Sequence, residues 1–458
     1  MIHRTPFFTL LVLLLACTAR ADETRLSPYI PKITGQEDFL YVWTLGVDGF
    51  GDEQDKLVTV DVRPGSPGYG KVIHFLSVGR HNEAHQMGLT DDRQFLWAAG
   101  LDTSAIFVFD VHTDPAEPKL VQTLTDFVAD TRGMVGPHTL YALPGRMLIT
   151  GLSNSTDRGG HTGMAQYSND GAFLSAVWMP TAQTLRGTVG SSAHADGFGG
   201  DVRALPRLNA LFTSSFTGWN DYMTDGKRTL RNPDFRHFGN SVVLWDLASL
   251  TPIKVFDVPG APIEIRCALS NAHDYCFTVT ALTARLHLIA RDPQGEWRMQ
   301  PVANIGAPPK HPLPVDMSIS ADDKRLWIST WNDGMAHLFD ISAPLSPKEI
   351  YSRHIGEQVA SVTQSWDGKR VYFTSSFLAS WDKRQGPHGE LQYLKGYRWD
   401  GRALRPTFAL NFVAEKLGRP HQMVAGAYSL YAPPPTRPFP APPSHRASGW
   451  HAAPRVNP

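Results

Sequence analysis

A β-hairpin that recurs seven times is the feature that most constrains this chain. Each copy has an alternating strand, a turn with Asp or Gly, and a second apolar strand. The clearest copies begin at Leu89, Ile319 and Gln364, and weaker ones at Leu143, Leu205, Cys267 and Gln422. A further strand, which usually ends in Asp, follows the hairpins, as at residues 107–110 and 337–340. Repeats of this kind are typical of four-stranded propeller blades.

The two ends of the repeat pattern complete each other. The strand at residues 58–61 has no hairpin before it, and the hairpin at residues 421–431 has no further strand after it. If the chain closes into a ring, these pieces form one blade. The sequence therefore predicts an all-β, seven-bladed β-propeller over residues 22–431, closed by pairing of N- and C-terminal strands. Two β-sandwiches side by side are the alternative for 458 residues, but they leave the seven hairpins unexplained.

Both termini lie outside the repeat pattern. Residues 1–21 combine a short positive segment, an apolar run and the sequence Ala-Arg-Ala, which predicts a secretory signal peptide whose apolar run is too short to span a membrane. An uncleaved anchor and lipoprotein processing at Cys17 are the alternatives. Residues 432–458 are rich in proline and predict a disordered or extended tail. We expect an exported, periplasmic protein.

Cysteine usage and charge agree with this expectation. Without the signal peptide only Cys267 and Cys276 remain, at equal distances from one hairpin turn. They would lie opposite each other in an antiparallel hairpin, where an oxidising compartment permits a disulfide. Lys plus Arg equals Asp plus Glu, at 43 each. This balance argues against a nucleic-acid partner, which needs a basic surface.

Polar residues recur where the first strand of each hairpin begins. In a propeller this strand lines the central channel, so these side chains are expected to point into the channel mouth. They are His85, His138, Asp201, Glu264, Asp316, either Gln358 or Ser361, and His421. Each histidine alone is more simply a capping or solvated residue. Three from consecutive blades of a closed ring instead favour a site for copper, zinc, iron or nickel with an open coordination position.

Two further residues border this predicted site. His194 precedes the third inner strand and would supply another nitrogen, although an ordinary loop histidine is the simpler interpretation. Glu83 lies two residues before His85 and would orient an imidazole, or be an ordinary solvated glutamate.

Several strings resemble the selenium-binding protein family, which includes bacterial methanethiol oxidases. The resemblance covers most of residues 40–425 and is longest and most specific at residues 367–383. Other similar strings are residues 66–74, 83–86, 136–139, 262–266, 316–323 and 339–344. The resemblance implies a seven-bladed propeller and a copper-dependent oxidase that converts methanethiol and dioxygen to formaldehyde, hydrogen sulfide and hydrogen peroxide. It also carries the family's histidines onto His85, His138 and His421.

The sequence departs from the family pattern at several positions. Gly70 stands where animal members have the cysteine linked to selenium, so selenium binding by that route is not supported. Gln86 replaces the second histidine of the family's E-x-H-H, and Asp333 replaces the histidine of W-L-H-G. The usual ending after the last histidine is replaced by the proline-rich tail. Glu83 and Asp333 are the predicted catalytic residues beside the metal ligands.

The leading functional prediction is an exported copper-dependent oxidase of a small thiol, most simply methanethiol, with dioxygen as the second substrate. A non-catalytic propeller that binds copper, selenium or a partner protein is the main alternative, because fold does not determine function. A hydrolase or lyase that uses Asp201, Glu264 and Asp316 with another divalent ion is a third hypothesis.

Overall fold

A computed structural model describes residues 36–48, 51–181, 195–223, 237–270, 272–306, 311–382 and 392–428. The predicted signal peptide, Cys17, the proline-rich tail and His194 lie outside these residues. Within them, the chain forms seven four-stranded antiparallel sheets arranged as the blades of a β-propeller, which confirms the predicted fold. None of the helices in these ranges is long and apolar enough to cross a membrane.

The strands follow one another from the channel outward in each blade. The first three strands belong to the closing blade: β1 (Glu37–Leu45), β2 (Lys56–Asp61) and β3 (Lys71–Ser77). Blade 1 holds β4 (Ala84–Leu89), β5 (Phe95–Gly100), β6 (Ile106–Asp110) and β7 (Lys119–Leu124). Blade 2 holds β8 (Met134–Leu143), β9 (Arg146–Asn154), β10 (Gly163–Ser168) and β11 (Phe173–Trp178). Blade 3 holds β12 (Val202–Leu205), β13 (Ala210–Thr213), β14 (Ser241–Asp246) and β15 (Thr251–Asp257).

The remaining blades repeat this order. Blade 4 holds β16 (Pro262–Cys267), β17 (Tyr275–Thr280), β18 (Arg285–Arg291) and β19 (Trp297–Asn304). Blade 5 holds β20 (Pro314–Ile319), β21 (Arg325–Thr330), β22 (Met335–Asp340) and β23 (Lys348–His354). Blade 6 holds β24 (Val362–Gln364), β25 (Arg370–Thr374), β26 (Tyr393–Trp399) and β27 (Leu404–Asn411), and β28 (Arg419–Tyr428) completes the closing blade. The described residues also include two short α-helices, α1 (Phe127–Asp130) and α2 (Trp219–Tyr222), and a 3₁₀ turn at Pro206–Leu208.

The ring closes as predicted, but with a different division of strands. β28 is the innermost strand of the closing blade and pairs antiparallel with β1. The predicted hairpin at residues 421–431 is wrong, because Arg419–Tyr428 is one continuous strand. Its Gly426 has the appearance of a turn residue, yet it pairs with Phe39 inside the sheet. A Cβ there would lie 2.1 Å from the ring of Tyr41, so this glycine makes room for an aromatic side chain.

The recurring turn sequence has a local cause. Between the first and second strands, a Ser or Thr hydroxyl donates to an Asp two residues later, and the same carboxylate accepts a backbone N–H. The pairs are Thr90–Asp92 at 2.7 Å, Ser320–Asp322 at 2.6 Å and Ser365–Asp367 at 2.7 Å. These local hydrogen bonds stabilise the turn without distant partners, so the same residues recur at each such turn and the pattern can be recognised in the sequence.

The apolar core lies between neighbouring blades. The ring of Trp97 in blade 1 lies 6.4 Å from that of Tyr167 in blade 2, and Trp327 in blade 5 meets Phe373 in blade 6 edge to face at 6.3 Å. Fourth strands such as β3 instead alternate between exposed and half-buried residues, as expected at the outer edge. The core therefore forms a ring around the channel and holds the inner strands in place.

An ion pair between two blades and a disulfide within one blade reinforce the fold. Arg370 of blade 6 donates from Nε and a terminal nitrogen to the buried Glu37 of the closing blade, at 2.8 Å each. Such a two-point pair fixes orientation as well as charge. In blade 4, Cys267 and Cys276 lie opposite each other in the β16–β17 register and form a disulfide, as the hairpin spacing predicted.

Candidate metal centre

The three predicted histidines meet at one mouth of the channel. His85 on β4, His138 on β8 and His421 on β28 line a small cavity of about 20 Å³ and are almost completely buried. The ring centroid of His85 lies 4.8 Å from that of His138 and 4.1 Å from that of His421, with which it stacks at 19°. Blades 1, 2 and the closing blade are neighbours in the ring, so the predicted convergence is what the structure shows.

β-Bulges at the start of the inner strands turn these residues inward. An extra residue interrupts the pairing between Ala84 and Met87 on β4, and between Pro137 and Leu140 on β8. On β28, His421 itself is the extra residue. A bulge breaks the strict alternation of side chains, so consecutive residues can face the channel. His85 and Gln86 both line the cavity for this reason.

Backbone carbonyls orient two of the imidazoles. Nδ1 of His138 lies 3.3 Å from the carbonyl oxygen of Gly200, and Nδ1 of His421 lies 2.8 Å from that of Ser376. A carbonyl only accepts, so these rings carry their proton on Nδ1 and would ligate a metal through Nε2. Nδ1 of the buried His85 has no hydrogen-bond partner among the described residues.

Two of the three rings are held in the neutral form by their surroundings. Burial, followed by the proximity of His421 and His138, lowers the pKa of His85 well below its ordinary value. Burial also lowers the pKa of His138 to about 4, against an opposing effect of the Asp201 carboxylate. Neutral imidazole is the form that binds transition metals.

These residues fit a first-row transition metal by their donor chemistry. Three imidazoles converge on the cavity, and the buried Nδ1 of His85 has no hydrogen-bond partner in the part of the chain that the structure describes. Within the described ranges no three His, Cys, Asp or Glu side chains form a preformed metal-binding group. The face-to-face packing of His85 and His421 accounts for this, because both rings would have to part for a metal to lie between them.

The acidic residues at the same position in other blades form a different structure. The guanidinium of Arg266 contacts Asp201 at 2.8 Å, Glu264 at 2.7 Å and Asp316 at 2.9 Å. Arg203 pairs with Asp201 as well. Burial by itself would raise the pKa of Asp201, but Arg203 and Arg266 outweigh that effect and hold it below its ordinary value. Arg266 and Arg203 pair with these carboxylates, so the structure gives no support to the hypothesis of a hydrolase or lyase that uses them with a divalent ion.

Amide side chains connect the two regions beneath the cavity. Gln86 donates to Glu264 at 3.3 Å and accepts from Gln422, which in turn accepts from the backbone N–H of Met87. Gln86 thus occupies the place of the family's second histidine as part of a hydrogen-bonded floor. With Arg266 behind it, this floor fills the channel on that side of the cavity.

Aromatic side chains cover the other side. Phe377 lines the cavity, and its ring contacts Trp381 at 5.6 Å and both Trp331 and Phe216 at 6.2 Å. We call these four residues the aromatic cap. The cap is held by the loop at residues 376–382, in which the indole N–H of Trp381 donates to the carbonyl of Tyr222 at 2.9 Å.

Glu83 contacts this loop rather than any of the three histidines that line the cavity. Its carboxylate accepts the N–H of Ala379 at 2.8 Å and lies 3.7 Å from the ring of His81. Burial, with the negative charges of Asp382, Asp55 and Asp102, raises the pKa of Glu83 to about 8. Glu83 does not line the cavity in the described structure, so its position is that of a support for the loop whose Ser376 orients His421.

The other predicted site residues lie elsewhere. Asp333 is in the β21–β22 turn, where it accepts from Thr330 Oγ1 and from the N–H of Met335 at 3.3 Å. It does not line the cavity formed by the described residues, so the structure does not bring this predicted catalytic residue to the site. Ser361, not Gln358, lines the cavity in blade 6. His194 lies outside the described residues.

Sequence reasoning missed the apolar side of the site. Ile263, Val315 and Ala360 line the cavity together with Phe377. The search for polar residues at strand starts passed over them, because strand alternation places neighbours of Glu264 and Asp316 on the opposite face. The available signal was their position one residue before each predicted polar residue.

Comparison with known proteins supports the family resemblance that the sequence indicated. Residues 20–395 match the model of the 56 kDa selenium-binding protein family. A methanethiol oxidase of Ruegeria pomeroyi is 55% identical over 90% of this chain and 95% of its own length. One from a Hyphomicrobium species is 51% identical over 88% of this chain and 90% of its own.

A solved structure supports the fold. A hypothetical selenium-binding protein from Sulfolobus tokodaii superposes with a TM-score of 0.73 at 24% identity, over 87% of this chain and 96% of that one. At these levels of identity to the two bacterial enzymes, the predicted enzyme class, an oxidoreductase, is confirmed. Sequence, fold and the matched residues agree, and the chain belongs to the 56 kDa selenium-binding protein family.

Proposed function

We propose that this protein is an exported, copper-dependent methanethiol oxidase. The overall reaction would be CH₃SH + O₂ + H₂O → HCHO + H₂S + H₂O₂, in which the carbon of the thiol is oxidised and dioxygen is reduced to peroxide. The observation that carries the proposal is the convergence of three buried imidazoles on a cavity of about 20 Å³, two of which, His85 and His138, have a lowered pKa. The two bacterial relatives named methanethiol oxidase point to the substrate.

His85, His138 and His421 would hold the copper. When bound, copper would supply a site for the thiolate sulfur and redox chemistry with dioxygen. The protein's contribution is to lower the pKa of His85 and His138 and to orient His138 and His421 through the carbonyls of Gly200 and Ser376. These carbonyl partners fix the tautomer, so His138 and His421 would each offer the same nitrogen at every turnover.

The cavity restricts what can reach this position. Its volume corresponds to about one water molecule, so a small ligand would be favoured over a larger one, and binding would require neighbouring side chains to shift. Phe377 of the aromatic cap and Gln86 of the hydrogen-bonded floor border the cavity and would limit the access of bulk water to reactive species.

Turnover assays test this proposal. Copper-loaded protein should consume dioxygen in the presence of methanethiol and release sulfide and peroxide in equal amounts, whereas the metal-free protein should not. Sulfide release no greater than in the metal-free control would overturn the proposal.

The second candidate, a copper-binding protein without turnover, is favoured by Gln86. In the family pattern this position holds a histidine, whereas here its amide is committed to Glu264 and Gln422. About one copper per chain without thiol consumption would support this candidate. Selenium binding through the family's cysteine position has no support, because Gly70 has no side chain and a Cβ there would lie 2.7 Å from Phe408.

Export to the periplasm is supported by residues 1–21 and by the Cys267–Cys276 disulfide. The proposal predicts a mature chain that begins after Ala21 and is released by osmotic shock. N-terminal sequencing of the cell fractions checks both points, and a mature chain found only in the cytoplasmic fraction would contradict them.

A further inference from the structure

The cavity lining differs between two arcs of the ring. His85, His138 and His421 come from three consecutive blades, and Ile263, Val315 and Ala360 come from blades 4, 5 and 6 on the opposite arc, where the polar residues Glu264, Asp316 and Ser361 alternate with them. Phe377 of the aromatic cap adjoins this second arc. We call Ile263, Val315, Ala360 and Phe377 the apolar arc. All four are at least nine-tenths buried.

Two of these residues face the channel because of bulges. Ile263 is the extra residue between Pro262 and Glu264, and Val315 is the extra residue between Pro314 and Asp316. Without the bulges, alternation would turn these side chains away from the acidic residues that follow them. The strands are therefore shaped to present an aliphatic group beside each carboxylate, opposite the imidazoles.

We infer that the apolar arc is the binding subsite for the alkyl group of the thiol and that it restricts the enzyme to a one-carbon substrate. This inference rests on the proposed function. A thiol has one polar atom and one apolar end, so its sulfur suits the imidazole half and its methyl group suits the apolar arc. The cavity is small even for one methyl group, so each additional methylene would have to displace more of the buried side chains that line it.

Phe377 sets the limit on size. Its ring packs against Trp381, Trp331 and Phe216. A movement of Phe377 would therefore disturb the other residues of the aromatic cap. Ile263 and Val315 belong to inner strands and are equally constrained. One extra methylene in a pocket of this kind changes selectivity by about 10- to 200-fold.

The test compares methanethiol, ethanethiol and 1-propanethiol in the copper-loaded wild type and in Phe377→Ala. The ratio of kcat/KM for methanethiol to that for 1-propanethiol should fall at least about tenfold in the variant. Phe238→Ala is the matched control, because Phe238 packs on Phe216 at 6.0 Å but does not line the cavity. It should keep the wild-type ratio. An unchanged ratio in Phe377→Ala would overturn the inference.

Ala360→Val provides a second variant that does not depend on truncating the cap. It should raise KM for methanethiol, with a smaller change in kcat, because the added methyl groups fill the alkyl subsite. Unchanged KM would count against the inference.

Binding without turnover separates this inference from the proposed function. Cobalt(II)-loaded protein is titrated with the three thiols, and thiolate-to-cobalt absorption reports affinity. If the copper enzyme fails to oxidise methanethiol, the proposed function fails, yet tighter binding of methanethiol than of 1-propanethiol, reversed or levelled by Phe377→Ala, would still support the subsite. Equal affinities for all three thiols in the wild type, or no thiolate binding, would overturn it.

Discussion

The histidine arc and the charged arc occupy the same position in different blades. His85, His138 and His421 begin inner strands in three blades, and Asp201, Glu264 and Asp316 do so in three others. Both sets are buried. The imidazoles face one another, and burial lowers the pKa of His85 and His138, whereas the carboxylates surround Arg266 and pair with it.

The difference shows that position in the blade does not determine chemistry. A buried ionisable group either loses its charge or acquires a partner, because an isolated charge in the interior is very costly. His85 and His138 follow the first course, which leaves them in the form that the proposed metal site requires. The carboxylates instead acquired arginine partners, and we call this buried cluster around Arg266 the structural plug of the channel.

The largest effect is expected from the histidine arc. His85→Ala, His138→Ala and His421→Ala should each weaken copper binding by more than about 100-fold, which exceeds the usual cost of losing an outer partner, and turnover should fall to the metal-free level. Copper content after dialysis and dioxygen consumption measure both.

His74→Ala is the matched control for these variants. His74 lies on β3, the outermost strand of the closing blade, and does not line the cavity. It should keep its copper. If His421→Ala also stays fully loaded, the site is built from the other two histidines and different partners.

The charged arc should respond in stability. Arg266→Met leaves three buried carboxylates with only Arg203 nearby, and should lower the free energy of unfolding by about 3–5 kcal/mol. Urea denaturation measures this loss. Arg298→Met is the control, because the exposed Arg298–Asp292 pair should contribute less than about 1 kcal/mol. Equal losses in the two variants would show that the charged arc is not a structural plug.

The two arcs should also lose their contributions to the free energy of unfolding at different pH values. The unfolded chain binds a proton on His138 below pH 6.5, whereas the folded chain does so only near pH 4, so His138 by itself lowers the free energy of unfolding by about 3 kcal/mol as pH drops through that window. Asp201, with a pKa below 3.8, loses its contribution only at lower pH. Urea denaturation of metal-free wild type and His138→Gln from pH 7 to 4.5 isolates this contribution. The free energy of unfolding of the variant should rise relative to that of the wild type by most of this amount as pH drops, and a difference that does not change with pH would contradict the assignment.

The smallest effect is expected at Asp333, which belongs to neither arc. Asp333→Asn should weaken one turn and cost about 1 kcal/mol or less, with copper content and turnover unchanged. Thermal unfolding and dioxygen consumption check this expectation. A large loss of turnover at normal stability would restore Asp333 as a catalytic residue.

Local chemistry made the fold predictable. The Ser/Thr-x-Asp turns are stabilised by hydrogen bonds between near neighbours, so three of the seven blades can be recognised from them in the sequence. The count of seven also relied on weaker copies of the hairpin, and one of these, at residues 421–431, was wrong. The convergence of His85, His138 and His421 was predicted as well, since it requires only ring closure and the position of each residue at the start of an inner strand.

Contacts between distant residues decided the rest. Whether a carboxylate is available or matched depends on Arg266, which reaches residues from three blades. The bulges depend on pairing with the next strand, and they alone turn Ile263 and Val315 toward the histidines. Residues 419–428 form one strand because β1, almost 400 positions earlier in the chain, offers an edge to pair with. Sequence determined which groups stand at the channel mouth through local turn and strand patterns, and only the tertiary structure decided their charge, their partners and the apolar arc opposite them.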